Sequence, residues 1–264
     1  MRRSPAALTS ALAIVAIVPG GASATDYIVT VGGRAAESPP YEGAPNDVLR
    51  PSVVFSVRRA DAPWRFTPPD DGGAFALFSG RHFDLGPVLK FRYSRKNTGR
   101  LEGFDKIGFA VEPGVFADYW FTDWLRVKAQ VRQGVAGHRG TVGDAGIDVI
   151  HTGKRWDFSI GPRFGYGDAR YMDTYFGVTP AEAAASPLIK TAYRPGAGGR
   201  YGGIEAAYAY QITRHLRAVA DLGYHRLVNR AAQSPVVDVA GSRNQFSGGV
   251  SLTYSFGIHL GHRR

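Results

Sequence analysis

Apolar and polar residues alternate in one segment after another along this chain. In 156–166 every even position is apolar or aromatic (Trp156, Phe158, Ile160, Pro162, Phe164, Tyr166), and the odd ones are Asp157, Ser159, Gly161, Arg163 and Gly165. A period of two puts the large side chains on one face and predicts a strand. The same dyad marks 84–94, 107–119, 125–132, 145–149, 204–210, 216–224 and 246–256, and 27–33, 50–58 and 73–79 complete a set of eleven. Most are close to the length of a tilted membrane strand, about 9 to 11 residues. The connections are tight at Thr122-Asp123, Thr152-Gly153-Lys154 and Thr213-Arg214, and long at 96–105, 136–141, 169–199 and 228–243. Together these features predict an all-β protein, a transmembrane antiparallel up-and-down β-barrel. Single-chain bacterial barrels have an even strand number, short periplasmic turns and long outer loops. A twelfth strand is therefore expected, and Pro63–Thr67 is assigned to it. A last strand ending in the periplasm makes 84–94 run outward and 73–79 inward.

The segment after Tyr166 carries a second pattern. Thr179, with Glu182 three residues on and Pro180 between them, forms a capping box with proline at the first helical position. This predicts one to two turns of helix, from Pro180 to Ala185, within the long connection 169–199. Tyr171, Met172, Tyr175 and Phe176 supply an apolar cluster in the same connection. A loop of this length is expected to be functional, and the cluster predicts an ordered plug or lid over the outer mouth.

The opposite strand faces carry the charge. Alternation assigns Lys90, Arg92, Glu112, Asp118, Arg126, Lys128, Arg132, Asp144, Asp148, Asp157, Arg163, Glu205, Arg217 and Asp221 to the lumen. Neighbouring strands largely carry opposite signs, which attract across a poorly hydrated interior. A cross-braced, largely closed lumen is expected rather than an open pore. Leu125, Val127, Ala129 and Val131 are assigned to lipid. Trp120, Trp124, Trp156, Tyr254 and Phe256 are placed in an aromatic girdle at the periplasmic rim.

Composition narrows the function. Arg2 and Arg3, an apolar run from Leu8 to Val18, and Ala22-Ser23-Ala24 make residues 1–24 a secretory signal peptide. The barrel is then assigned to 25–256, and 257–264 to a short basic tail. The formal charge of +10, less Arg2 and Arg3, leaves +8 for an exported chain, which has no occasion to meet nucleic acid. Outer-membrane lipid and lipopolysaccharide are the expected surroundings. The chain has no cysteine, so disulfides and thiolate metal sites are excluded. Its seven histidines are scattered without metal spacing. Gly196–Gly203 lacks the strand and helix of a phosphate cradle and is read as a close strand start. No cofactor and no catalytic constellation is expected.

Several stretches carry a family likeness. Tyr41-Glu42-Gly43, Arg132-Gln133-Gly134 with Gly137-His138, the run Tyr171-Met172-Asp173-Thr174-Tyr175-Phe176-Gly177-Val178-Thr179-Pro180, and Ser234-Pro235 with Gly241–Gln245 resemble the signatures of the MltA-interacting protein (MipA)/OmpV family. The resemblance spans about residues 27–256. It implies an outer-membrane barrel, with the 171–180 run as the signature loop. Some members of that family are described as scaffolds linking a lytic transglycosylase to a murein synthase, and others as adhesive surface antigens. The resemblance therefore implies a non-enzymatic scaffold in peptidoglycan assembly, with murein hydrolase and synthase proteins as partners. A narrow small-solute channel and a surface adhesin are the alternatives. Family chains tend to stop at the terminal aromatic, here Phe256, and this chain continues to Arg264.

Overall fold

The computed structural model describes residues 25–260. Residues 1–24, read as a signal peptide, and the last four residues lie outside them. The strands are β1 (Thr25–Ser38), β2 (Val48–Arg59), β3 (Gly73–Ala74), β4 (Phe78–Ser79), β5 (Phe83–Arg92), β6 (Ala110–Thr122), β7 (Leu125–Gln133), β8 (Thr141–Thr152), β9 (Trp156–Gly167), β10 (Gly198–Gln211), β11 (Leu216–Leu227) and β12 (Asn244–Leu260). They form one twelve-stranded antiparallel sheet in the order β2-β1-β12-β11-β10-β9-β8-β7-β6-β5-β3, with β4 also on β5. Pairing of β1 with β12 over thirteen residues, from Thr25↔Leu260 to Glu37↔Gly248, curls the sheet into a nearly closed barrel. The seam lies between β2 and β3, where no pairing is found among the described residues.

The alternation fixes which face looks out. Val115, Phe121, Val131, Phe164, Leu222 and Val250 project from the wall and are more than half exposed. An apolar exterior of this extent suits lipid, not water. Inside are the charged residues of the same strands. One end of the barrel carries the tight turns at 123–124, 153–155 and 212–215, and the other carries the long connections; these are called here the turn end and the loop end. No helix among the described residues is long and apolar enough to cross a membrane.

Four expectations need correction. Pro63–Thr67 is not a strand. After β2 ends, residues 60–72 turn into the barrel instead, with Phe66 buried among Trp120, Ile150, Ala207 and Ala209. The strand expected at 73–79 is broken into β3 and β4, although Phe75 and Leu77 still donate backbone hydrogen bonds to Pro87 and Leu85 of β5. Trp120 does not belong to the rim: it is 5% exposed and faces inward, because its own strand turns Tyr119 and Phe121 outward. Residues 257–260 are not a tail but the end of β12, paired with Thr25–Ile28.

The loop end is covered by short helices: α1 (Ala169–Phe176), α2 (Pro180–Ala185), α3 (Asn229–Ala232) and α4 (Pro235–Asp238). The capping box forms as expected, with the Thr179 hydroxyl accepting from Glu182 N and the Glu182 carboxylate accepting from Thr179 N. Helix α1 was not foreseen; the Asp168 carboxylate caps it by accepting from Tyr171 N at 2.8 Å. Close approaches hold this layer down. A Cβ on Gly140 would lie 2.3 Å from Tyr171 N, and Gly103, at φ +89°, packs its backbone against Ser186 just after α2.

Candidate functional site

The lumen is the only region where the chain concentrates buried charge, among the described residues, and it is organised in three levels. At the turn end, Arg65 donates to Asp84 and to the carbonyls of Gly80 and Arg81. Trp64 lies under Arg58 and Arg217, and Phe66 also faces Arg217. Arg217 is paired with Asp157. This level ties residues 60–67 to β2, β5 and β11.

At mid-height the segment turns through a single 3-10 turn, Pro69–Asp71, which presents two adjacent carboxylates to the wall. Arg126 donates to Asp71 at 2.7 Å, to Asp148 at 2.6 Å and to Asp118 at 3.1 Å. Lys128 donates to Asp70 at 2.6 Å and to Asp71. Arg163 joins Asp70 at 2.7 Å to Asp148 at 2.6 Å. Gln130 and Lys90 donate to the backbone carbonyls of Asp71 and Asp70. Asp70 and Asp71 come from the inserted segment and their cations, Arg126, Lys128 and Arg163, from β7 and β9, so the network pins the plug to the wall. Buried charges are tolerated only when each is paired and hydrogen-bonded, and here several carboxylates serve two cations at once.

A second network lies above it. Glu112 accepts from Arg92, from Arg132 at 3.1 Å and from His138 at 2.9 Å. Asp144 joins Arg132 to Arg200, and Tyr201 donates to it at 2.8 Å. Glu42, from the β1–β2 connection, accepts from Arg92 at 2.9 Å and from Arg200. Burial disfavours the Glu42 carboxylate, but Arg200 and Arg92 overcome it and hold its pKa below the usual range.

The signature residues sit directly on this network. Tyr171, Met172, Tyr175 and Phe176 of α1 are buried with Val142, Leu227, Ala231 and Val237. Arg92 and Arg200 lie over the Tyr171 ring, at 5.1 and 5.0 Å from its centroid, and His138 meets both tyrosines edge-on. Arg95 donates to the carbonyl of Tyr175, and Ser234 to that of Phe176. Burial pushes the Tyr175 hydroxyl up to about 12. Asp173 and Thr174 are on the outer side of α1, with Thr174 donating to Arg170 O and Arg194 reaching Asp173. Gly177, Thr179 and Pro180 form the link to α2.

Of the charges assigned to the lumen, Glu112, Arg126, Lys128, Arg132, Asp148, Asp157, Arg163 and Glu205 are buried, and Lys90, Arg92, Asp118, Asp144, Arg217 and Asp221 have hydrogen-bond or ion-pair partners within the barrel. Opposite signs pair across neighbouring strands at Asp118–Arg126, Arg126–Asp148, Glu112–Arg132 and Asp148–Arg163. Asp221 pairs across β12 with Arg34, which alternation had not singled out. Glu205 lies 3.0 Å from the His225 ring. Sequence reasoning missed the role of Asp70 and Asp71. It also missed Arg200, at the start of β10 in the glycine-rich stretch. Val131 is exposed on the outward face of β7, and Trp124, Trp156, Tyr254 and Phe256 are exposed toward the turn end.

Comparison with curated protein sequences finds no match. Among solved structures, the porin NanC is 10% identical with a TM-score of 0.38, over 86% of this chain and 98% of its own. An outer membrane channel of Pseudomonas putida F1 is 10% identical with a TM-score of 0.38, over 91% and 100%. OmpT of Vibrio cholerae is 8% identical with a TM-score of 0.35, over 88% and 98%. These likenesses are too distant to add to the strand pairing already described. The family model of MltA-interacting protein MipA matches residues 31–256, so this chain, with its signature run seated on the upper lumen network, belongs to the MipA family.

Proposed function

We propose that this protein is a non-enzymatic outer-membrane barrel that serves peptidoglycan assembly as a scaffold, with a murein hydrolase of the MltA type as its partner. The carrying observation is the filled interior. The plug of residues 60–72, the two ion networks and the α1 layer cross the lumen from wall to wall. An interior built this way serves rigidity, and a rigid barrel is useful as an anchor in the membrane. The family name, MltA-interacting protein, supplies the class of partner. In the membrane the turn end faces the periplasm, where such an enzyme works, and the α1 layer with the 171–180 run is a fixed lid on the outside.

The test combines two measurements on the refolded full-length barrel. Saturable binding of a purified MltA-type transglycosylase, with no steady conductance in planar bilayers, is the expected result. A large, ohmic conductance without transglycosylase binding would replace the scaffold by a channel. Rapid cleavage of intact cells at Arg170 or Lys190 would instead return the 169–199 connection to the role of a mobile adhesive loop.

A further inference from the structure

The seam is not uniform along its height. Toward the turn end, β3 and β4 lie beside β5 and fill the space next to β2. Above Gly73, residues 90–92 of β5 have no strand on that side, and neither do residues 48–54 of β2, among the described residues. Lipid does not satisfy the N–H and C=O groups of an open strand edge, so a gap at this height calls for an occupant with polar groups of its own. A cavity of about 300 Å³ lies behind it, lined by Arg50 of β2 and Phe91–Tyr93 on the seam side and by Glu42, Tyr175 and Tyr201. That is the low end of the range for small-molecule pockets, about 300 to 1,000 Å³.

The polar groups around the cavity are unevenly satisfied. Arg50 lies 4.2 Å over the Tyr93 ring and has no carboxylate partner among the described residues. Glu42 uses one carboxylate oxygen for Arg92 and Arg200, and its Oε2 is buried without a partner. The hydroxyl of Tyr175, a residue 2% exposed, is also without a partner. The cavity thus offers a cation on its seam side, and an anionic acceptor and a hydroxyl beside aromatic rings. On the outer side of the seam the wall is apolar, with Val53 and Leu49 of β2 83% and 67% exposed.

We propose that the upper seam is a lateral port that binds a zwitterionic amphiphile with a phosphoethanolamine head. The phosphate sits on Arg50, near the loop end of β2 and hence at headgroup height. The ammonium donates to Glu42 Oε2 and lies against the Tyr175 and Tyr201 rings, an arrangement that attracts cations. The Tyr175 hydroxyl donates to a headgroup oxygen. The acyl chain runs down the outside along Val53 and Phe91, both exposed, and the oxygens of the head, not the chain, accept from free N–H groups of the open edge. This binding is independent of any transglycosylase docking at the turn end.

The probe is lysophosphatidylethanolamine, titrated against the refolded full-length protein by native mass spectrometry, with lysophosphatidylglycerol of the same chain as competitor. Saturable one-to-one binding, with the ethanolamine head preferred by about tenfold, is expected from one charge-assisted hydrogen bond. Arg50→Ala should weaken both lipids alike, and Glu42→Gln should abolish the preference. Tyr175→Phe guards against loss of folding, because it removes only an unpartnered hydroxyl. It should keep or raise the melting temperature while weakening binding several-fold. Free phosphoethanolamine, lacking the chain, should not bind at the same concentrations. Non-saturable uptake, equal affinity for the two heads in wild type, or undiminished binding by both Arg50→Ala and Tyr175→Phe would overturn the proposal.

Discussion

Asp71→Ala tests whether residues 60–72 are a structural plug or a loosely held insert. Asp71 is 4% exposed and binds Arg126, itself 1% exposed, as well as Lys128. Removing one partner from a buried ion pair costs about 3 to 5 kcal/mol. The lower end applies here, because Arg126 keeps Asp148 and Asp118, and Lys128 keeps Asp70. With a urea slope of about 2 kcal/mol/M, a loss of about 3 kcal/mol moves the unfolding midpoint down by about 1.5 M. The assay is equilibrium urea unfolding in detergent micelles followed by tryptophan fluorescence, since Trp64 lies in the plug and Trp120 packs against it. Hydrogen exchange over 60–72 should quicken in parallel. Lys128→Met in a double-mutant cycle should show a coupling of at least about 1 kcal/mol. A midpoint unchanged within about 0.2 M, with additive effects of the two substitutions and unaltered exchange over 60–72, would refute the account of the network as an anchor.

Three further outcomes are expected. Val127→Arg, on the outward face of β7, should cost about 2 to 4 kcal/mol of folding free energy in bilayers if it lies near the midplane, whereas equal folding of mutant and wild type would overturn the facing of that strand. The lowered pKa of Glu42 makes its contribution to stability complete above the ordinary value of 4.5, and that contribution is lost as pH falls through the folded value; the stability gap between wild type and Glu42→Gln should therefore be widest near neutrality and narrow below about pH 4.5, and a gap constant from pH 7 to 3 would contradict this. Thr179→Ala removes the reciprocal cap of α2 and should cost about 0.5 to 2 kcal/mol, read as faster proteolysis at Lys190 with no change in the barrel's own melting.

Most of the wall was legible because period two is a strong signal wherever one face meets lipid and the other meets charge. The same signal misled at Pro63–Thr67. Trp64 and Phe66 alternate with Arg65 as they would in a strand, but alternation does not distinguish a wall strand from an extended segment inside the barrel. The prolines at 63, 68 and 69, which cannot donate to a ladder, were the contrary sign. Trp120 was assigned by residue type when the phase of its own strand already pointed it inward. Helix α1 had a readable signature too: Tyr171, Met172, Tyr175 and Phe176 recur at a spacing of four, which is one helical face, and Asp168 is a good cap. No local pattern could have joined Asp70 and Asp71 to Arg126, Lys128 and Arg163, because those contacts cross 55 to 93 positions of chain.

The pairing of β1 with β12 imposes an order on biogenesis. The first strand made has to wait for the last before the ring can shut, and such remote pairing is slow to form. Meanwhile residues 60–72 must already be inside, or must still have a way in. An unzipped boundary between β2 and β3 offers that way. The inserted segment is bounded by those two strands, so it can swing in sideways like a bolt after the rest of the hoop has closed, without threading through either end.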